Sequence, residues 1–226
     1  MNVSVIIDAD SMIYASAYSR SLSEAKEKLD KNINLTLNEI EELGYVIDSF
    51  VVCSGSYGNF RKFISTSYKA NRKGDKPAYL NELQKYCRTN WHAKFVLGAE
   101  TDDVVASYWL QFHLEDANPI IASIDKDYLQ FPARIYNYIR KTLVMLDPIQ
   151  ANYNFYTQML VGDGADNVKG VKGCGEACAK KTLSHLTSKY AMVRAVYELY
   201  IKAYKGKASL RYRENYSLLK LRTDVL

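Results

Sequence analysis

The sequence is poor in the residues that mark several common protein classes. It has only four cysteines and four prolines in 226 residues. The cysteines, Cys53, Cys87, Cys174 and Cys178, show no paired Cys-x-x-Cys spacing, so we expect free buried thiols rather than disulfide bonds or a zinc site. No apolar run approaches the roughly 18 residues of a membrane span, and Met1 leads directly into a strand-like segment instead of a signal peptide. These absences predict a cytoplasmic protein without a membrane partner.

Cationic residues are the part of the composition that bears on function. The chain has 30 Lys and Arg against 25 Asp and Glu, a formal net charge of +5. This excess is small, but the exterior is more basic than it suggests if many acids are gathered in one pocket. A basic exterior favours a polyanionic partner, although a basic surface is more often simply a solvated one.

Apolar segments alternate between strand-like and helix-like periodicity. Residues 3–7 form a short run of β-branched residues, which predicts a strand buried on both faces. Helical spacing follows in residues 23–44, with Gly44 as the C-cap, and again in residues 104–112. Further strands are predicted at residues 45–52, 95–97 and 120–124. This alternation predicts an α/β fold in which helices flank a mostly parallel central sheet.

Two regions differ in function in this interpretation. Residues 1–150 are predicted to form the α/β catalytic core, including a polar, basic surface segment at 55–77. Residues 151–226 read as helical, interrupted by a glycine-dense stretch within a helix-hairpin-helix around 160–186.

Acidic residues recur where a parallel sheet would bring them together. Two groups follow predicted strands, whose carboxyl ends are where α/β sheets bind ligands; a third opens a helix and a fourth lies in a glycine-rich turn. The four groups are Asp8 and Asp10; Asp125 and Asp127; Glu100, Asp102 and Asp103; Asp163 and Asp166. Each group alone is commonly capping or turn chemistry.

Four acidic groups at one crevice need a compensating cation, because closely packed carboxylates raise one another's pKa. Oxygen ligands favour Mg²⁺ or Mn²⁺, and no His or Cys is placed to suggest zinc. Two such ions roughly 4 Å apart would support in-line phosphoryl chemistry with water as the nucleophile.

Two further segments have the composition of nucleic-acid contacts. Residues 59–73 carry five cations with interleaved aromatics, as in a path for a single strand; a solvated basic loop is the alternative. Residues 170–175 are a glycine-rich turn before a helical run, and such glycines let backbone amides approach the phosphates of a duplex. A plain glycine-rich turn is the alternative there.

Taken in order along the chain, these segments resemble the 5′-to-3′ exonuclease and flap endonuclease superfamily. That superfamily includes the 5′-nuclease domain of bacterial DNA polymerase I and stand-alone phage exonucleases. The segments that carry the resemblance are residues 7–14, 59–61, 68–72, 99–103, 125–127, 162–167 with 170–175, and 221–225.

The resemblance implies a role for each matching residue. Asp8, Glu100 and Asp102 would hold a first Mg²⁺ or Mn²⁺ ion, and a second ion would be held or supported by Asp103, Asp125, Asp127, Asp163 and Asp166. Lys69 and Arg72 would be the catalytic cations that bind the scissile phosphate, and Tyr68 would stack on a terminal base. The DNA-binding residues would be Arg61, Tyr68, Lys69, Arg72, Lys73, Gly170, Lys172, Gly173 and Gly175, with K⁺ on the hairpin carbonyls as often in the family.

The partner implied is branched or 5′-ended DNA, including flap single strands, with RNA–DNA hybrids as a further candidate. By resemblance we also expect a monomer, a replication role beside a separate polymerase, and a phage origin.

One departure from the family concerns the end of the second strand. The family usually carries an Asp there, whereas this chain reads Cys53-Ser54-Gly55. Asp10 lies two residues beyond Asp8, so both side chains face the same way if the strand continues. We hypothesise that Asp10 partly replaces the absent carboxylate.

Two other functions fit part of the pattern. Asp8-Ala9-Asp10 and Gly162-Asp163-Gly164 also resemble motifs of haloacid-dehalogenase-type phosphatases, in which Asp8 would be a covalent nucleophile. That family needs a hydrophobic strand before the Gly-Asp-Gly turn, whereas residues 152–160 have a helical pattern. A non-catalytic relative that binds branched DNA is the second alternative.

Overall fold

A computed structural model describes residues 1–72 and 74–226 and shows a mixed α/β fold. Within these residues a sheet has the order β2-β1-β3-β4-β5, in which the first four strands are parallel and β5 is antiparallel to β4. The strands are Asn2–Asp8 (β1), Val46–Cys53 (β2), Ile120–Ala122 (β3), Arg134–Asn137 (β4) and Thr142–Met145 (β5). The predicted mostly parallel sheet is confirmed.

Helices pack on both faces of the sheet and make up most of the C-terminal region. They are Asp10–Ser16 (α1), Leu22–Glu42 (α2), Arg61–Ile64 (α3), Leu80–Asn90 (α4), Thr101–Leu114 (α5), Pro148–Val161 (α6), Glu176–Leu183 (α7), Lys189–Tyr204 (α8) and Ala208–Leu219 (α9). Short 3-10 turns occupy Lys126–Gln130 and Lys205–Lys207, and a small hairpin pairs Gly162–Asp163 (β6) with Val168–Lys169 (β7).

Strand β1 is covered on both faces, which explains its unbroken apolar sequence. Val5 and Ile7 pack in a cluster with residues of α1, α2 and α4. Ile6, whose side chain points the opposite way, packs in a second cluster with residues of α5. Because β1 lies between β2 and β3, its final residue, Asp8, is held in a rigid, buried position.

Helix α2 follows the sequence signals closely. The Ser21 hydroxyl accepts a hydrogen bond from the backbone N–H of Glu24, so Ser21 is the N-cap. Leu29, Ile33 and Ile40 form the buried stripe. The chain turns after Glu42 through Gly44, whose φ of +89° suits glycine.

The strand predictions differ from the structure at residues 95–97 and at β5. Residues 95–97 form no strand, because only Lys94 bridges to Cys53 before the chain turns through Gly98. Leu97 is 73% exposed, so the apolar run there is a surface feature. Strand β5 was not predicted, since it is an edge strand whose residues are mostly exposed and therefore lack a buried face.

The cysteines are divided between two states. Cys53 and Cys87 are free and buried, as predicted. Cys174 and Cys178 instead form a disulfide bond, with Cα atoms 5.1 Å apart, so the prediction of free thiols is wrong for this pair. The reason is local: Cys174 lies just before α7 and Cys178 lies in its first turn, which brings the two side chains together.

Helices α6 to α9 pack on one another around a cluster of their own. Met159, Leu183, Val196 and Leu218 lie at its centre. Tyr68, from the basic surface segment, is packed into the same cluster, so that segment is tied to the helical region. None of the helices in the described part of the chain is both long and apolar enough to cross a membrane.

Candidate metal and nucleic-acid site

The predicted acids gather at the carboxyl edge of the parallel strands. Asp8 is the last residue of β1 and pairs with Cys53, the last residue of β2. Asp125 and Asp127 lie just after β3, where Asp125 caps the 3-10 turn by accepting a hydrogen bond from the backbone N–H of Asp127. Parallel strands therefore bring these two parts of the sequence to one crevice, as predicted.

Three carboxylates are close enough to share a cation. Asp102, Asp125 and Asp127 each offer one oxygen atom, and these atoms lie within 4.8 Å of one another. Asp102 enters the crevice because Glu100 caps α5, with reciprocal Glu100 and Asp103 capping bonds that fix the first turn of the helix. A set of carboxylate oxygens fits Mg²⁺ or Mn²⁺.

Asp8 adjoins this group through two hydroxyl groups. The hydroxyls of Ser123 and Tyr128 lie 2.9 and 3.1 Å from Asp8 Oδ2, and Tyr128 also lies 3.4 Å from Asp102 Oδ1. Burial, and then the charge of Asp10, raises the pKa of Asp8 to about 7. Ser123 and Tyr128 were not predicted as site residues; their only sequence signal is that they flank the Asp125 motif.

Asp127 and Asp163 are linked by a side chain of α6. Gln158 Nε2 lies 2.8 Å from Asp127 Oδ1 and 3.2 Å from Asp163 Oδ2, and Lys126 Nζ lies 2.9 Å from the same Asp163 oxygen. Burial and the charge of Asp125 raise the pKa of Asp127 to about 7. Burial also acts to raise the pKa of Asp163, but the hydrogen bond and charge of Lys126 hold it below its ordinary value.

The two predicted catalytic cations contact acids at the edge of the crevice. Lys69 Nζ binds the Glu100 carboxylate and lies 3.7 Å from Asp166 Oδ2. Arg72 lies 2.7 Å from Asp166 Oδ1. Asp166 therefore lies between the basic segment and the acids.

The Tyr68 hydroxyl lies 2.9 Å from Glu100 Oε2 and 2.8 Å from Asp166 Oδ2. Tyr68 is only 3% exposed, because its ring packs against the helical region. The prediction that it stacks on a terminal base conflicts with this burial. In this structure the residue joins two acids instead.

Arg61 and Asp103 form a buried ion pair, which conflicts with the prediction that Arg61 contacts DNA and leaves Asp103 only a supporting role. Arg61 donates to both oxygens of Asp103, at 2.7 and 2.8 Å, and to Glu100 at 2.9 Å. Arg61 is 1% exposed and Asp103 is fully buried, so Arg61 does not face a nucleic acid. The oxygens of Asp103 are used by Arg61 and by the backbone of Arg222, so Asp103 supports the site without facing the metal crevice.

Asp10 lies next to the end of β2. The prediction assumed that strand β1 continues through Asp10, and that assumption was wrong. The chain leaves β1 at Ala9, and Asp10 is the first residue of α1. Its carboxylate accepts hydrogen bonds from the backbone N–H of Gly55 at 2.6 Å and from the Thr101 hydroxyl at 2.5 Å. A Cβ at Gly55 would lie 3.1 Å from Asp10 Oδ2, so glycine makes the room that this carboxylate uses.

Two features separate α6 from α7: the hairpin β6–β7, and then an irregular turn at residues 170–175, where the glycine hairpin was predicted. A Cβ at Gly170 would overlap the carbonyl oxygen of Leu160, so the hairpin packs backbone on backbone. Gly173 has a φ of +80°, Gly175 caps α7, and Lys172 is exposed. Lys73, predicted to bind DNA, lies outside the described residues.

The parallel sheet, the acidic crevice at its carboxyl edge and the adjoining cations thus form one site. The family model for the 5′-3′ exonuclease, N-terminal resolvase-like domain, matches residues 3–158, and the chain belongs to that family.

Relatives and solved structures agree with this family. A 5′-3′ exonuclease of Buchnera aphidicola subsp. Schizaphis graminum is 23% identical to this chain. The alignment covers 98% of this chain and 86% of that exonuclease. A DNA polymerase I of Caldicellulosiruptor bescii is 28% identical over 92% of this chain, but only 26% of that polymerase is covered.

Among solved structures, the T5 D15 protein co-crystallised with metal ions superposes with a TM-score of 0.64 at 12% identity, covering 96% of this chain and 99% of that one. The catalytic core of Rad2 in complex with DNA substrate has a TM-score of 0.53 at 15% identity, covering all of this chain and 81% of that one. These likenesses establish the fold.

Proposed function

We propose that the protein is a divalent-metal-dependent 5′-nuclease that hydrolyses phosphodiester bonds near the 5′ ends of DNA. The observation that carries this proposal is the convergence of Asp102, Asp125 and Asp127, with one oxygen atom from each within 4.8 Å of the others. These carboxylates repel one another unless a cation lies between them. The names of the relatives, 5′-3′ exonuclease and flap endonuclease, give the same reaction class.

On the resemblance, we assign Asp8, Glu100 and Asp102 to one Mg²⁺ or Mn²⁺ ion and Asp125, Asp127 and Asp163 to a second, with Asp10 and Asp166 in support. Asp102 lies close enough to Asp125 and Asp127 to contact either ion. A pair of bound ions supplies an activated water and stabilisation of the leaving oxygen. Hydrolysis in this arrangement leaves a 5′-phosphate and a 3′-hydroxyl.

Lys69 and Arg72 supply positive charge where the scissile phosphate enters. Lys69 lies partly buried between Glu100 and Asp166. Burial acts most strongly and would lower the pKa of Lys69, but the charges of these two acids raise it above its ordinary value. Lys69 therefore remains protonated at neutral pH. A fixed ammonium group at this point strengthens its hydrogen bond as negative charge develops on the phosphate.

The hairpin between α6 and α7 is the proposed contact with duplex DNA. Gly173 and Gly175 have open space where a Cβ would stand, and Lys172 adds an exposed charge, whereas Gly170 packs against the backbone at the end of α6 and is not open to DNA on that side. We assign K⁺ binding to the carbonyls of this hairpin on the resemblance alone. We therefore assign cleavage of the strand mainly to residues 1–150 and binding of the duplex mainly to residues 151–226.

A flap or 5′-ended duplex is the proposed substrate, and RNA in RNA–DNA hybrids is a candidate of the same chemistry. The match to part of a DNA polymerase I supports a role beside a polymerase in replication. We propose that the enzyme acts as a monomer in the cytoplasm.

The phosphatase alternative fits the structure poorly. Its Gly-Asp-Gly motif should follow a buried strand, but helix α6 runs up to Gly162 in this chain. A non-catalytic DNA-binding protein remains an outcome of the experiment below.

The test is cleavage of end-labelled 5′-flap, duplex and single-stranded DNA in Mg²⁺, Mn²⁺ or EDTA. Asp125→Asn should keep flap binding but cut at least about 100-fold more slowly, since metal-assisted catalysis is worth several kcal/mol. Asp116→Asn is the matched control, because Asp116 is exposed at the opposite edge of the sheet and has a φ of +54°, which Asn tolerates.

Metal-dependent release of 5′ fragments by the wild type, lost in Asp125→Asn alone, would support the proposal. DNA binding without cutting would favour the non-catalytic alternative. Turnover of p-nitrophenyl phosphate without nuclease activity would overturn the assignment.

A further inference from the structure

Helix α6 presents two side-chain amides to the 3-10 turn that carries Asp127. The amide nitrogen of Asn154 donates to the carbonyl oxygen of Leu129 at 3.0 Å. Gln158, one helical turn later, donates to Asp127 Oδ1 at 2.8 Å. Residues four positions apart lie on the same face of a helix, so a single face of α6 makes both contacts. Helix α6 is therefore held against the 3-10 turn at two points.

The amide of Gln158 also reaches a second acid. Its Nε2 atom lies 3.2 Å from Asp163 Oδ2. Asp127 comes from the turn after β3, whereas Asp163 comes from the residues directly after α6. Only the nitrogen of an amide group can donate to a carboxylate, so the two acids determine which way the amide points. One neutral donor thus holds together two acids that would otherwise repel each other.

The contact with Gln158 leaves the second oxygen of Asp127 available. In the part of the chain that the structure describes, Oδ1 of Asp127 accepts the bond from Gln158, and no donor lies within hydrogen-bond distance of Oδ2. Asp127 is also one of the three acids that each offer an oxygen atom within 4.8 Å of the others. Gln158 can therefore stay bonded to Asp127 while this carboxylate faces a cation.

Asp163 is held at both of its oxygens. Oδ1 accepts hydrogen bonds from the backbone N–H groups of Ala165 and Asp166, at 2.8 and 3.2 Å. Oδ2 faces the amide of Gln158 and the ammonium group of Lys126, whose side chain is 64% exposed. Lys126 adds a positive charge of its own, whereas Gln158 supplies a donor without charge. Gln158 is therefore the partner of this oxygen that adds no repulsion toward a cation.

We propose that Gln158 is a positioning residue of the metal centre, whose amide holds Asp127 and Asp163 at the spacing at which they bind one divalent cation together. This inference rests on the proposed metal-dependent function. Groups that hydrogen-bond to metal ligands and fix their orientation typically change metal affinity by about 10- to 100-fold. The metal centre thereby extends to helix α6, which contributes no ligand of its own.

The test compares Gln158→Met with Asn154→Leu in the full chain. Met keeps the length of the Gln158 side chain but cannot donate, and Asn154→Leu removes the other amide from the same face of α6. Both variants should melt somewhat below the wild type in EDTA, because each loses hydrogen bonds to the 3-10 turn. In Mn²⁺ titrations followed by calorimetry, Gln158→Met should bind one ion about 10- to 100-fold more weakly, whereas Asn154→Leu should bind as the wild type does.

Equal weakening of Mn²⁺ binding in both variants would overturn the inference, since it would assign the effect to the packing of α6 against the turn. Wild-type Mn²⁺ affinity in Gln158→Met would also overturn it, and would leave the proposed nuclease function intact if the wild type binds Mn²⁺ and cuts DNA. Absence of Mn²⁺ binding by the wild type would overturn both the inference and the proposed function.

Discussion

Asp10 and Gly55 show how a carboxylate reaches the end of β2 from another part of the chain. The side chain of Asp10 comes from α1, and its oxygens are fixed by the Gly55 N–H and the Thr101 hydroxyl. Gly55 suits this arrangement because a Cβ there would lie 3.1 Å from Asp10 Oδ2, which is a tight contact. Asp10 thus places a carboxylate beside the end of β2, where the chain itself has Cys53.

Asp10→Asn tests whether this carboxylate serves a cation. The amide keeps an oxygen that can accept from Gly55, so the fold should be retained, whereas the loss of charge should weaken Mn²⁺ binding about 10-fold or more. Calorimetry measures the affinity. The control is Asp30→Asn, since Asp30 accepts from Tyr86 and Trp91 outside the site; it should alter stability alone. Unchanged Mn²⁺ affinity and activity in Asp10→Asn would refute the role.

At the level of elements, one buried guanidinium joins three segments that are distant in sequence. Arg61 of α3 binds Asp103 of α5 and also donates to the carbonyl oxygens of Leu218 and Lys220. The short helix α3, which has only four residues, could not hold its position by its own backbone bonds. Arg61 thus connects the basic segment to both the sheet region and the C-terminus.

Arg61→Ala should therefore destabilise the protein by about 3–5 kcal/mol, because it leaves Asp103 buried without a partner. Urea unfolding measures this loss. Lys62→Ala is the neighbouring control: Lys62 is exposed, and the change should stay within about 0.5 kcal/mol. A stable Arg61→Ala protein with weakened DNA binding would instead support the original assignment of Arg61 to the DNA surface.

These elements also show what sequence reasoning can and cannot reach. The period of apolar residues predicts β1, α2 and α5, because burial on one or both faces leaves a pattern along a single segment. It cannot predict that Arg61 and Tyr68 turn inward, since their burial depends on acids about 40 to 100 positions away. The same limit applies to β5, whose neighbours are solvent on one edge and β4 on the other.

Across the whole molecule, the gathered acids link stability to pH. The folded-state pKa values of Asp8 and Asp127 are raised from 3.8 to about 7 by burial and by neighbouring acids. Between about pH 4 and pH 7 the folded protein thus holds protons that the unfolded chain has released. Stability falls as pH rises through this window, since the unfolded state binds fewer protons there.

We therefore expect the melting temperature of the metal-free protein to fall between pH 4.5 and pH 7.5 in EDTA. Saturating Mg²⁺ should reduce this fall, because cations replace the lost protons and bind the folded state. Asp127→Asn should show a shallower fall, since it removes one of the acids whose pKa is raised. Differential scanning calorimetry across this range checks the expectation, and a melting temperature that rises with pH in EDTA would contradict it.

Lys69, Arg72 and Lys126 neutralise acids of the crevice in the absence of metal. Each of these cations is bonded to a carboxylate that a divalent ion would also bind. A divalent ion bound to these carboxylates would compete with the three cations, and any cation released in this way would be free to contact a phosphate. Metal and nucleic acid would then be coupled through the same side chains.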